Sequence, residues 1–484
     1  MIAAKGLLAS AAFSSGAKFL SRLIGLVSTL ILARILTPTD FAMIAIIAIV
    51  LHLFDILSHT GSEQYIVQKS EVLADDLNTA WTLDVVLKSL MCCVLMALAP
   101  FIADFFEQPH LRFAIQIASI TLIINALKNP GLLLLKRALD YKSVFYLSLV
   151  QKIASFITVI CIALVWQSYW AFVIADLVAA VVFTLGAYKI QPFRPAFSLL
   201  KVSEQWLFSK WLLGKSIIGY LRSQIDTVLV AKFFSPTQLG NYHMARDVAM
   251  LPGYNILGPA IEPLLADFKD HKQDPIKLGG RVSKVLCIVS LIVVPITTYM
   301  AFYPALIVDV LLGSQWVIAG EILGVMSLLF FYYCFLLVIE SALTAVGKVK
   351  AIFMFDTASL LVIVVTLLAY LQMYDDLTNL LWLRVSIGVI STLVIGIGLH
   401  MIVPLKWMQI AGALILAVAL SAIAITLIDW LTTQVELGKI TLFLLSGVLF
   451  CGAYATMLII LVPRIMGTTV SKLLADYRQV KGAQ

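Results

Sequence analysis

Charge is what this sequence has least of. Only 13% of its 484 residues are Asp, Glu, Lys or Arg and 61% are hydrophobic, where soluble domains carry roughly 25% charged residues. The mean hydropathy of +1.01 excludes an ordinary soluble domain. Metal and disulfide signatures are missing too. Cys92, Cys93, Cys161, Cys287, Cys334 and Cys451 all lie in apolar runs without CxxC or metal spacing, so they read as small buried hydrophobes. No phosphate-binding glycine loop occurs, so this chain does not hydrolyse ATP. No cofactor motif is present. The longest connections between apolar runs, about 191–206 and 267–281, are too short for a catalytic domain. The only paired acids, Asp75-Asp76 and Asp375-Asp376, read as solvated turns. These absences argue against an enzyme. The N-terminus does not read as a cleavable signal, because Lys5, Lys18 and Arg22 interrupt its apolar core.

Long apolar runs are what the chain has instead. Fourteen are expected to span a membrane: 10–35, 40–66, 78–104, 112–135, 143–166, 168–190, 207–233, 238–266, 282–303, 317–345, 351–371, 380–402, 407–429 and 438–462. Each can cross a hydrocarbon core of about 30 Å. Placing the N-terminus inside puts twenty basic residues of the connections and tails on the inner face. Arg34, Arg112, Lys232 and Lys439 are left outside. That asymmetry sets both termini in the cytoplasm. It also accounts for the net charge of +7 without a nucleic-acid partner.

A repeat divides the chain. Ala33-Arg34-Ile35-Leu36-Thr37-Pro38-Thr39-Asp40-Phe41-Ala42 matches Ala231-Lys232-Phe233-Phe234-Ser235-Pro236-Thr237-Gln238-Leu239-Gly240 at a register of 198 residues, and Gly16, Leu23 and Thr29 meet Gly214, Leu221 and Thr227. Six spans separate the copies, so they share an orientation and form a parallel repeat. The expected fold is all-α: two parallel six-helix bundles around a central cavity, plus two C-terminal helices. Its parts are 1–190, a cytoplasmic linker 191–206, a second bundle 207–402, two further helices in 403–462 and a basic cytoplasmic tail 463–484. Thr39 or Asp40 is expected to cap the second span.

The few charges inside these runs are the candidate functional residues, since an ionisable group at mid-membrane costs about 2.5–3.5 kcal/mol even on insertion scales. Lys18 and Arg22 share a face of the first span. His52, Asp55, His59 and Glu63 follow at turn spacing on the second. Lys215, Arg222 and Asp226 form a stripe on the seventh, and Arg246 lies on the eighth. Lys88 follows Asp84 by one turn and is expected to pair with it. Asp356 and Arg384 stand alone and receive no role. Pro252, Pro259 and Pro263, with Gly253 and Gly258, predict a kinked or unwound eighth span.

The A-R-I-L-T-P-T-D-F-A junction and the following G-S-E-Q-Y-I-V-Q-K (residues 61–69) resemble the polysaccharide-repeat flippases. These belong to the superfamily of multidrug and toxin extruders, lipid II flippases and oligosaccharidyl-lipid exporters. The resemblance implies a fourteen-helix fold with a V-shaped cavity lined by the first, second, seventh and eighth spans. It implies transport of an undecaprenyl-diphosphate-linked oligosaccharide across a bacterial cytoplasmic membrane, among membrane lipids and in contact with polysaccharide polymerase machinery. Such a diphosphate needs cations: Lys18, Arg22, Lys215, Arg222 and Arg246 are the expected contacts, with bridges to Asp55, Glu63, Asp226, Asp247 or Glu262 as the alternative. His52, Asp55, His59, Glu63 and Asp226 are expected to couple or gate, and Pro252, Pro259 and Pro263 to hinge. A multidrug antiporter of the same fold predicts an acidic cavity, yet the first span has no Asp or Glu. A membrane polymerase or ligase predicts catalytic groups on an outer loop, and the outer loops are small.

Overall fold

The computed structural model describes residues 20–465 apart from 60, 70, 139, 262 and 434–437, and every described element is helical. A first helix, α1, covers 20–35. It is followed by α2 (Pro38–Leu57), α3 (Ser62–Gln68), α4 (Ala74–Phe105), α5 (Leu111–Ala126), α6 (Leu132–Arg137), α7 (Tyr141–Trp166), α8 (Trp170–Ile190), α9 (Val202–Phe233) and α10 (Pro236–Pro252). A π-helical turn, Gly253–Leu257, leads into α11 (Gly258–Ile261) and α12 (Leu264–Asp270). Then come α13 (Pro275–Phe302), α14 (Pro304–Leu311), α15 (Val317–Ala345), α16 (Val349–Leu371), α17 (Leu377–His400), α18 (Trp407–Thr433) and α19 (Lys439–Ile465). Among the described residues, ten helices are long and apolar enough to cross a membrane. The protein is therefore an all-helical, multi-pass membrane protein. Each remaining expected span falls on a helix that is short in its described part (α1 and α5), charged (α9) or interrupted (α10).

Three expected spans are broken. The second, 40–66, ends at Leu57, and α3 is a separate helix. Ser58 turns its hydroxyl onto the Asp55 carbonyl (2.7 Å), and Gly61 takes a left-handed conformation (φ 62°) that a helix interior does not hold. The fourth, 112–135, breaks at Asn129-Pro130-Gly131. Pro130 has no N–H to give, and the Asn129 side chain accepts from Gly131 N (2.9 Å). That same amide donates to the carbonyls of Gln191 (3.1 Å) and Phe193 (2.8 Å). The eighth expected span is disturbed where its prolines predict: the π turn follows Pro252 directly, and α11 ends at Ile261, shortly before Pro263.

The chain forms two compact units. One runs to Met244 and takes back Lys350–Arg384; the other comprises Ala245–Val349 and the chain from Val385 onward. In the first, α4 packs on α5, α7 on α8, α5 on α8, and α2 on both α5 and α9. In the second, α13 packs on α15 and α18. The two C-terminal helices close over it through Leu420, Ala424, Ile425, Ile428, Phe450 and Tyr454, with Tyr299 against them.

The repeated junctions meet inside the first unit. Thr37, and neither Thr39 nor Asp40, caps α2: its hydroxyl accepts from Asp40 N (3.2 Å), and Asp40 reaches back to Thr37 N (3.1 Å). Ser235 and Gln238 build the same reciprocal box before α10. The hydroxyls of Thr39 and Thr237 lie 3.4 Å apart, so the 198-residue register recurs as a contact. Gly240 permits this approach. A Cβ at that position would sit 1.7 Å from the Pro38 carbonyl oxygen.

Candidate functional site

The polar interior of the first unit is organised around α9. Counting back from its end at Phe233 at 1.5 Å per residue, Asp226 lies about 10 Å and Arg222 about 16 Å into the helix. Both are held by residues to which the sequence assigned no role. Arg384, near the start of α17, places Nε 3.2 Å from Asp226 Oδ2. The second Asp226 oxygen accepts from Thr227 N at 3.0 Å. Both side chains are buried (8% and 3% exposed), so this pair is fixed on each side. Arg222 Nε lies 3.3 Å from Asp356 Oδ1 of α16, with its guanidinium over the Phe355 ring at 5.7 Å. That oxygen accepts no hydrogen bond, so the contact is an ion pair without hydrogen-bond alignment. Lys215, two turns below Arg222, also acts on Asp356 through its charge.

A second polar cluster lies where α2 ends. A cavity of about 310 Å³ is lined by Asp55, His59, Glu63, Asp84, Lys88, Lys128 and Lys136, with Trp81, Asn125 and Phe183. Lys88 pairs with Asp55 (3.1 Å) rather than with Asp84 as its helical spacing predicts. This neutralises charges on two helices at once. Lys136 of α6 reaches Glu63 of α3 at 2.6 Å. The break after Leu57 takes His59 off the helix, so His52, Asp55 and His59 do not form one helical stripe. His52 instead packs edge-on against Tyr220 of α9 (5.0 Å), whose hydroxyl donates to the Ile49 carbonyl (2.8 Å).

Of the other expected site residues, Arg22 is half-buried on α1 and Lys18 lies outside the described residues. Arg246 is half-buried on α10, in the second unit. Pro252 and Pro259 flank the π turn, and Pro263 precedes α12. The second unit has its own cavity of about 680 Å³, where Lys439 reaches Asp309 (2.7 Å) beside Trp316 and Glu321. Among the described residues, no group of three His, Cys, Asp or Glu could hold a metal ion. The sequence signal that would have found Asp356 and Arg384 is simple: each lies inside an apolar helix with no opposite charge one turn away, so each requires a partner on another helix.

Solved structures share this fold. The fold is similar to that of the lipid II flippase MurJ in an inward closed conformation: TM-score 0.76, 14% identity, covering 93% of this chain and 99% of that one. It is also similar to an inward-facing multidrug resistance transporter of the MATE family (TM-score 0.60, 14% identity, 81% and 95% covered). The chain belongs to the polysaccharide biosynthesis protein family, which matches residues 31–320. Two similar curated proteins are the lipopolysaccharide biosynthesis protein WzxC of Escherichia coli K12, 26% identical over 63% of this chain, and the succinoglycan biosynthesis transport protein ExoT of Rhizobium meliloti, 22% identical over 62%. The match spans about three-fifths of the length of each (62% and 61%).

Proposed function

We propose that this protein is a flippase. It carries undecaprenyl-diphosphate-linked oligosaccharide repeat units from the inner to the outer leaflet for lipopolysaccharide, exopolysaccharide or capsule synthesis. The observation that carries this reading is the Arg222–Asp356 pair. A guanidinium about 16 Å into a helix needs a counter-charge, and here it has one without hydrogen-bond alignment. Such a pair can exchange its carboxylate for a diphosphate, which an arginine fork matches better. Lys18, Arg22, Lys215 and Arg246 are the further cations that the sequence offers to the diphosphate. The hydrogen-bonded Asp226–Arg384 pair is the fixed element beside the exchangeable one.

Alternating access follows from the same parts. The Thr39–Thr237 and Pro38–Gly240 contacts form a small polar seal between the repeat junctions. On the orientation with both termini inside, that seal lies at the outer face. The π turn between Pro252 and Pro259 is the hinge. His52, Asp55, His59 and Glu63 belong to the inner end, where they couple or gate. Membrane lipids and a downstream polymerase are the expected partners. The test is accumulation of undecaprenyl-linked glycan in cells depleted of the protein. Completed units building up on the inner leaflet, and cleared by complementation, are the expected result. No build-up, with altered tolerance to cationic drugs, overturns the reading in favour of an antiporter.

A further inference from the structure

The cavity of about 310 Å³ at the end of α2 is lined by more polar groups than the protein satisfies. Lys88 and Lys136 are matched to Asp55 and Glu63. His59, Asn125 and Lys128 differ: among the described residues their side chains have no hydrogen-bond or ion-pair partner, and Lys128 is held only over the Phe183 ring at 5.2 Å. His59 is exposed and Asn125 and Lys128 are half-buried, so their polar groups are open to water, and a ligand with several hydrogen-bonding groups can take that water's place.

The charges narrow its chemistry. Three carboxylates (Asp55, Glu63, Asp84) face three ammonium groups (Lys88, Lys128, Lys136), so the cavity favours neither a net anion nor a net cation. Carboxylates accept from hydroxyls. Lysine and the asparagine amide donate to hydroxyl oxygens, and Trp81 and Phe183 supply apolar walls. The volume lies at the low end of small-molecule pockets, roughly 300–1,000 Å³. We infer that this cavity is a saccharide subsite that takes one neutral sugar ring, with Asn125 and Lys128 as its specificity-determining contacts. The inference rests on the flippase reading: it assigns glycan recognition to the inner end of the first unit, apart from the diphosphate cations on α9.

The test uses the full chain in lipid nanodiscs and two probes. One is undecaprenyl diphosphate; the other is the undecaprenyl-diphosphate oligosaccharide extracted from depleted cells. The wild type should bind the glycosylated probe at least about tenfold more tightly, equivalent to about 1.4 kcal/mol. In N125L and K128M that preference should fall below about twofold. As a check independent of those variants' folding, the thiol of V144C, a cavity-lining position outside the proposed contacts, in a chain whose six native cysteines are replaced by alanine, should be shielded from maleimide by the glycosylated probe and not by the bare one. Equal wild-type affinity for both probes, or full preference in both variants, overturns the subsite while leaving the flippase reading intact. Binding of neither probe by the wild type removes both.

Discussion

Neutralising Arg222 separates a substrate contact from a structural bridge. The arginine and Asp356 are 19% and 7% exposed and 3.3 Å apart. At an effective dielectric of about 20 their gross attraction is about 5 kcal/mol. Most of that offsets desolvation, but removing one partner leaves the other buried and uncompensated, at about 3–5 kcal/mol. R222Q should therefore lower the thermal stability of the purified protein. Lys215 lessens the loss, because it too acts on Asp356. Adding D356N removes the orphaned carboxylate, so the R222Q/D356N double variant should recover most of the stability. Transport should not recover, because the diphosphate contact is still missing. The assays are thermal unfolding in nanodiscs, and lipid-linked glycan accumulation in cells at matched protein level. Normal transport by the double variant would refute the reasoning, since Arg222 would then be a structural bridge alone.

Four further outcomes are expected. R384M leaves Asp226, 3% exposed, without its guanidinium at a cost of about 3–5 kcal/mol; membrane levels should drop and return in D226N/R384M, as read by immunoblot. G240V places side-chain atoms where even a Cβ meets the Pro38 carbonyl, an overpacking of at least about 1–3 kcal/mol. It should slow transport at normal protein level, and wild-type rates would show that the junctions need not close. A T39C/T237C pair, at a site where the native hydroxyls are 3.4 Å apart, should cross-link under oxidant, arrest glycan export and release it on reduction. Asp274 caps α13 by accepting from Lys277 N (3.0 Å), and that bond holds its carboxyl below the usual 3.8. A depressed carboxyl stabilises above its unfolded pKa and loses that contribution as pH falls through the folded one. Hydrogen exchange of the first turn of α13, corrected for intrinsic rates, should therefore rise below about pH 3.8 in the wild type and stay flat in D274N.

Much of the fold was legible in one dimension. Hydropathy marks a spanning helix without reference to any neighbour, so ten of the fourteen expected spans fall on described helices long and apolar enough to cross a membrane. The paired T-P-T and S-P-T junctions could be aligned by register alone, and the prolines after Met250 announced a disturbed helix. The breaks were harder. Gly61 and Asn129-Pro130 lie in apolar surroundings, and hydropathy does not register a left-handed residue or an amide satisfied by another segment. The capping residue was misplaced by two or three positions, because Thr37, Thr39 and Asp40 are all suitable caps and only the backbone geometry chooses among them.

What the sequence determined by itself, then, was the membrane-spanning character, the helix order and the existence of charges that lipid would not tolerate. Each of these depends on residues close in the chain. Which charges answer one another was decided only by the tertiary structure. Arg222 finds Asp356 and Asp226 finds Arg384, which is 158 residues away. Lys88 passes over the carboxylate one turn away for Asp55 on another helix. An ion pair requires two groups within about 4 Å in space, and chain separation says nothing about that distance once helices pack side by side.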